Sequence, residues 1–127
     1  MRRAFSSLAA NAYSELGIGA TQAKFVRHIG LAGTISQAEL ARMTNTDPTL
    51  TGRILSTLIE RCWVKRERSE EDRREYVVEL APPAKRMQAK IEATREELAA
   101  KVVAALDDRD IEDFERIAKK IVAAFSP

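Results

Sequence analysis

In 127 residues there is one cysteine, one histidine and one tryptophan, and aromatic residues make up only 6% of the chain. The single thiol, Cys62, excludes an internal disulfide framework. Cys62 and the lone histidine, His28, have no obvious partners, so no metal site is readable. No apolar run approaches the roughly 18 residues of a membrane helix, and there is no signal-like segment, so the expectation is a soluble, cytoplasmic protein with no membrane partner. The five glycines form no phosphate-cradling loop, and serine, histidine and cysteine are scattered without nucleophile–base spacing. Carboxylates mostly stand beside Lys or Arg on helix faces, the ordinary solvated pattern. The chain does not read as an enzyme and implies no cofactor. No internal repeat or low-complexity segment is visible.

What is present suits one small, helix-rich domain. Hydrophobic residues make up 45%, enough to bury a core, and charged residues 31%. The net charge is +2. Its distribution is more informative: residues 42–74 hold eight basic and six acidic residues, and the remainder balances thirteen against thirteen. The whole excess therefore lies on one internal segment, a modest electrostatic signature of a nucleic-acid face.

That segment belongs to residues 36–80, around which the chain is organised. Ser36 is a helix N-cap, and Glu39 three residues on completes a capping box. Asp47 caps a second short helix, with Pro48 at its first position, where a missing N–H costs nothing. In this second helix Leu50, Ile54, Leu55, Leu58 and Ile59 fall on one side at 100° per residue. Thr49, Gly52, Arg53, Ser56 and Glu60 fall on the other, while Thr51 points with the apolar residues and is expected to pack. Small hydroxyl residues and one Arg near a helix N-terminus suit close approach to a major groove, where Arg forks onto guanine. Trp63–Arg68 and Arg74–Leu80 read as two strands, with Val64, Tyr76, Val78 and Leu80 alternating against charged residues around a polar tip.

On either side the pattern is helical. Residues 2–16 repeat Phe5, Leu8, Ala9, Ala12 and Leu16 at helical spacing, and Gly17 and Gly19 end that helix. Thr21 is read as the cap of the next, whose core stripe is Phe25, Val26, Ile29 and Leu31. Gly30, Gly33 and Thr34 close it, and Ile35 adds one short strand against the wing. Pro82 and Pro83 stop the last strand and start a helix of roughly 23 residues, about 34 Å long, over 83–105. Its apolar side carries Met87, Ile91, Leu98, Val102 and Leu106. Asp107 or Asp108 caps a final helix with Ile111, Phe114, Ile117, Ala118, Ile121 and Phe125 on one face. Two long amphipathic helices in so small a domain need a cover, and interlocking with a second copy is favoured over intramolecular packing.

The run from Ser36 to Leu80 resembles the winged helix-turn-helix of the MarR family of bacterial transcription regulators. The resemblance is carried by Ser36-Gln37-Ala38-Glu39-Leu40-Ala41, Asp47 to Arg53, Leu58-Ile59-Glu60-Arg61, Val64-Lys65-Arg66, and Ser69-Glu70-Glu71-Asp72-Arg73-Arg74 leading to Val78-Glu79-Leu80. It implies a mainly α fold with a small β wing: one domain over 1–127, with the winged part at 20–80 and dimerisation helices at 1–19 and 81–127. It further implies a homodimer, acting as a repressor, on pseudo-palindromic double-stranded operator DNA, released by a small, often aromatic or phenolic effector or by an oxidant. The effector cleft would lie between the dimerisation helices and the winged part, where Phe5, Leu8 and Met87 are apolar candidates. The implied DNA-facing set is Ser36, Gln37, Pro48, Thr49, Gly52, Arg53 and Ser56 from the helices, and Arg68, Asp72, Arg73 and Arg74 from the wing. Arg74 would enter a minor groove with Asp72 fixing its loop. The chain departs from the family at Cys62, where Gly is usual, at Thr44 and Thr46, where apolar residues are usual, and at Ala81, where a capping Thr is usual. The same fold would also permit a protein-interaction module that binds no DNA. That reading gains if Arg53, Arg68, Arg73 and Arg74 are consumed in internal ion pairs.

Overall fold

A computed structural model of the chain describes residues 11–125. Residues 11–15 are helical. They are followed by α1 (Ala20–Ala32), β1 (Thr34–Ser36), α2 (Gln37–Met43), α3 (Pro48–Glu60), β2 (Val64–Arg68), β3 (Tyr76–Leu80), α4 (Pro82–Ala104) and α5 (Asp108–Phe125). The fold is thus mainly α with a small β wing. The rest of the helix expected over 2–16, with Phe5 and Leu8, lies outside the described residues. The chain divides into two compact units, one ending at Thr94 and the other beginning at Arg95.

In the first unit, three antiparallel strands run in the order β1-β3-β2. Ile35 pairs with Val78, and Arg66 pairs with the same residue from the other side. The short strand expected at Ile35 is therefore present, and it ties the start of α2 to the wing. One core joins Phe25, Val26 and Ile29 of α1, Leu40 of α2, Leu55 and Leu58 of α3, Val64, Val78 and Leu80 of the sheet, and Ala84 and Ile91 of α4. The root of α4 also meets α1 through polar groups. Arg27 Nε and Glu92 Oε1 lie 2.9 Å apart, an ion pair without linear hydrogen-bond geometry.

Local chemistry explains the helix ends. The Ser36 hydroxyl accepts from the Glu39 amide at 3.1 Å, but the Glu39 carboxylate pairs with Arg42, one turn on, so the box forms by half. Asp47 Oδ1 accepts from the Leu50 amide at 2.9 Å. The turn between α2 and α3 opens with Asn45 at φ 50°, a left-handed residue. The Asn45 amide donates to Arg42 O and the Thr46 amide to Ala41 O, so two otherwise orphaned carbonyls are satisfied. At the end of α3, Cys62 at φ 62° repeats this motif. Its amide donates to Ile59 O, and the Trp63 amide to Leu58 O. The position where the family usually has Gly is one that needs a positive φ.

The other departures are absorbed locally. Thr44 is buried, with its hydroxyl donating to Leu40 O at 2.7 Å, so no polar group is stranded. Ala81 cannot cap α4, but Pro82 and Pro83 have no N–H to cap, and the Ala84 amide donates to Ala81 O.

Three expectations need correction. Thr21 does not cap α1; Gly19 is the N-cap, without a side-chain bond, and Thr21 lies inside the first turn. Leu31 leaves the core stripe and is 60% exposed at the last turn of α1. Leu50 leaves the apolar side of α3 and is 45% exposed. Thr51 does pack: it is fully buried, and its hydroxyl donates to Asp47 O at 2.9 Å.

In the second unit, α5 has a reciprocal cap. Asp107 Oδ1 accepts from the Asp110 amide, and Asp110 Oδ2 from the Asp107 amide, which decides between Asp107 and Asp108. None of its residues is buried. Phe114, Ile117, Ile121, Val122 and Phe125 are all exposed.

Candidate nucleic-acid interface

Burial of Thr51, Leu55 and Leu58 against the core fixes which side of α3 faces out. Thr49, Arg53, Ser56 and Pro48 are exposed on that outer side. Gly52 is half-buried beneath Gln37 of α2, whose Nε2 would lie 3.6 Å from a Cβ at residue 52. The glycine is thus not required by packing within the chain, since an alanine side chain would make ordinary contact there. Ser36 and Gln37 are half-buried at the start of α2. Among the described residues, the guanidinium of Arg53 makes no ion pair.

The wing has an apolar root and a cationic end on one face. In β2 the period of two puts Val64, Arg66 and Arg68 on the same face. Their partners are Leu80, Val78 and Tyr76. Val64, Val78 and Leu80 are buried, so further out the face turns to Arg66, Arg68 and Tyr76. Both guanidinium groups lie over the tyrosine ring, at 4.7 and 4.8 Å from its centroid. Arg68 also donates to Arg73 O at 2.7 Å and to Tyr76 Oη at 3.1 Å. Arg66 is absent from the residues expected to face DNA. Its alternation with Val64 was legible, but its stacking on a residue ten positions away was not.

The tip of the wing is built on Asp72. Its amide donates to Ser69 Oγ, and its carbonyl accepts from the Glu75 amide. Its Oδ1 accepts from the Arg74 amide at 3.0 Å and from Arg74 Nε at 3.2 Å. The guanidinium and then the amide of Arg74 hold the Asp72 carboxyl below the usual aspartate range, against a small desolvation effect. Arg74 nevertheless remains 91% exposed in its side chain. Arg73 is exposed and, among the described residues, forms no ion pair.

The two elements border one cleft of about 740 Å³. Gln37, Ala41 and Arg42 of α2, Pro48 and Thr51 of α3, and Arg74 and Tyr76 of the wing line it. The exposed start of α3 and the outer end of the wing therefore stand side by side, as a surface that follows adjacent grooves of a duplex requires. Met87, named above as an effector candidate, is partly buried against the core. Among the described residues there is no cluster of side chains able to hold a metal, and no helix is long and apolar enough to cross a membrane.

Comparison with known proteins gives the fold its relatives. The MarR family model matches residues 18–76. Among curated proteins, none matches the sequence. A MarR mutant from E. coli, solved in complex with operator DNA, superposes with a TM-score of 0.83 at 23% identity, covering 94% of this chain and 86% of that one. A MarR transcriptional regulator from Methanosarcina mazei Go1 gives 0.81 at 23% identity, covering 97% and 88%. Streptococcus pneumoniae FabT, in complex with DNA, gives 0.74 at 15% identity, covering 84% and 74%. At these identities the likeness is one of fold, and the family model matches the segment that carries the helix-turn-helix, the first wing strand and the wing tip. Residues 18–76 thus match the MarR family model, and the chain shares the fold of the MarR regulators on which it superposes.

Proposed function

We propose that this chain binds pseudo-palindromic operator DNA as a homodimer and represses transcription until a small aromatic or phenolic effector releases it. The observation that carries the reading is the shared cleft that sets the outward start of α3 beside the cationic end of the wing, at Arg74 and Tyr76. Ser36, Gln37, Pro48, Thr49, Gly52, Arg53 and Ser56 would face the major groove or its phosphates. Arg68, Asp72, Arg73 and Arg74 would serve the flanking minor groove, where a narrow width attracts Arg. The relatives solved with operator DNA or DNA share the fold. The interaction-module alternative would be favoured by consumption of these arginines in ion pairs. Among the described residues, Arg74 is the one of the four that meets a carboxylate, and it stays exposed there.

The dimer reading rests on the exposed apolar residues Phe114, Ile117, Ile121, Val122 and Phe125 of α5, which a second copy would cover. Release follows from a population shift: an effector that prefers a spacing of the two recognition helices unsuited to DNA lowers the competent fraction.

Selection of bound sequences from random duplexes tests the reading. It should return a two-fold-related site whose affinity falls steeply with salt through counterion release. Sedimentation of the free protein should give about twice the 14.2 kDa chain mass. A monomer with no selected site would leave the interaction module as the reading. Repeating the selection with a panel of small aromatic acids and phenols identifies the effector class.

A further inference from the structure

We propose that Leu50 reads the 5-methyl group of a thymine in each half-site, an inference that rests on the DNA-binding reading above. Helical spacing alone put Leu50 with the core residues of α3, yet the structure leaves it 45% exposed. The other large apolar residues of the helix are all accounted for. Leu55 and Leu58 are in the core, and Ile54 and Ile59 pack against it. Leu50 is the one left outside.

Its place is that of a base-reading side chain. It is the third residue of α3, and the N-terminal residues of a recognition helix are those that reach base edges. Its amide donates to Asp47 Oδ1 at 2.9 Å, so the backbone that aims it is pinned. Arg53 follows three residues later, about 60° round the helix, with Cβ atoms roughly 5–6 Å apart at that spacing. The two side chains thus form an adjacent pair, one able to fork onto guanine O6 and N7, the other with only apolar atoms to offer. In the major groove the thymine methyl is the apolar feature that such a side chain can recognise. The two other strongly exposed apolar residues of the winged part, Leu31 and Met43, belong to the last turns of α1 and α2 and not to α3.

Uracil tests this without altering the hydrogen-bonding pattern, since it keeps the O4 acceptor and lacks only the methyl group. Each thymine of the selected site is replaced by deoxyuridine in turn, and affinity is measured for the parent and for Leu50→Ala. Because the residue is half exposed, the variant keeps its fold, which its unfolding midpoint verifies. The parent should lose about four-fold in affinity at one thymine per half-site, the worth of one buried methyl. That thymine should lie within one or two base pairs of the guanine whose replacement matters least to Arg53→Ala. Leu50→Ala should bind the thymine and uracil sites alike. Equal binding of all uracil sites by the parent, or an undiminished loss in Leu50→Ala, overturns the proposal while leaving DNA binding intact. Failure to select any duplex removes the DNA-binding reading itself, and this inference with it.

Discussion

Asp72 holds Arg74 from two directions: one carboxylate oxygen accepts both the backbone amide and the Nε of the same residue. Arg74 is thus presented at the wing tip with its backbone fixed and its side chain exposed. The arrangement has a pH signature. The carboxyl is held below the ordinary aspartate value of about 3.9, so its contribution to wing order is complete above that value and fades as pH falls through the lowered one. An NMR titration should place the Asp72 midpoint below about 3.9. In Arg74→Ala the midpoint should move up towards the ordinary value, though not fully, because the amide bond remains. An unshifted midpoint in the parent would show that the pair does not form in solution.

Cys62 sits in the left-handed region at the end of α3, where a Cβ is unfavourable. Cys62→Gly should therefore stabilise the protein by about 1 kcal/mol, raising the thermal midpoint by roughly 3–5 °C at fixed protein concentration. A midpoint equal to or below the parent's would mean that the strain is relieved in some other way.

Arg61 braces the same corner. Its guanidinium lies 3.7 Å from the Trp63 ring centroid and donates to Gly17 O and Gln22 Oε1, joining the end of α3 to the first turn of α1 and the residues before it. Arg61 and Gly17 are exposed and Gln22 and Trp63 only half-buried, so Arg61→Ala should cost only about 1 kcal/mol. Trp63 is the sole tryptophan, so its emission reports directly on the loss of cover and should shift to the red. Unchanged emission and stability together would remove the brace from the account.

Gly52 separates stability from function. A Cβ there meets only Gln37 Nε2 at ordinary distance, so Gly52→Ala should gain about 1 kcal/mol from helix propensity. If the glycine serves close approach of DNA, the same variant should bind the selected site more weakly. Denaturant unfolding and a binding titration on one preparation give both signs. A more stable variant with parental affinity would show that no DNA group approaches residue 52.

Much of this was readable from residue types with strong local meaning. Ser36 and Asp47 are caps, Pro82 and Pro83 start a helix, and the alternation of Val64, Tyr76, Val78 and Leu80 marks the wing. Each depends on neighbours a few residues away. Leu50 and Leu31 were misread because helical spacing gives the direction of a side chain but not how far the covering elements extend along the helix. The stack of Arg66 and Arg68 on Tyr76 depends on strand register, and the tie from Arg61 to Gly17 spans 44 residues. Thr21 satisfied the residue preference for a cap two positions too late, and Gly19 took the role without a side chain.

The central claim is that α3 and the wing read DNA in different ways, and Arg53→Ala and Arg74→Ala test it together. Both are titrated against the selected site and its single-base variants across a salt series. Arg53→Ala should lose about 1–3 kcal/mol per specific contact and relax preference at one position in each half-site. Arg74→Ala should weaken binding to many sequences, with a shallower salt slope and less preference for A·T at the flanks. If both variants bind every duplex as the parent does, with the parental salt slope, this surface does not read DNA.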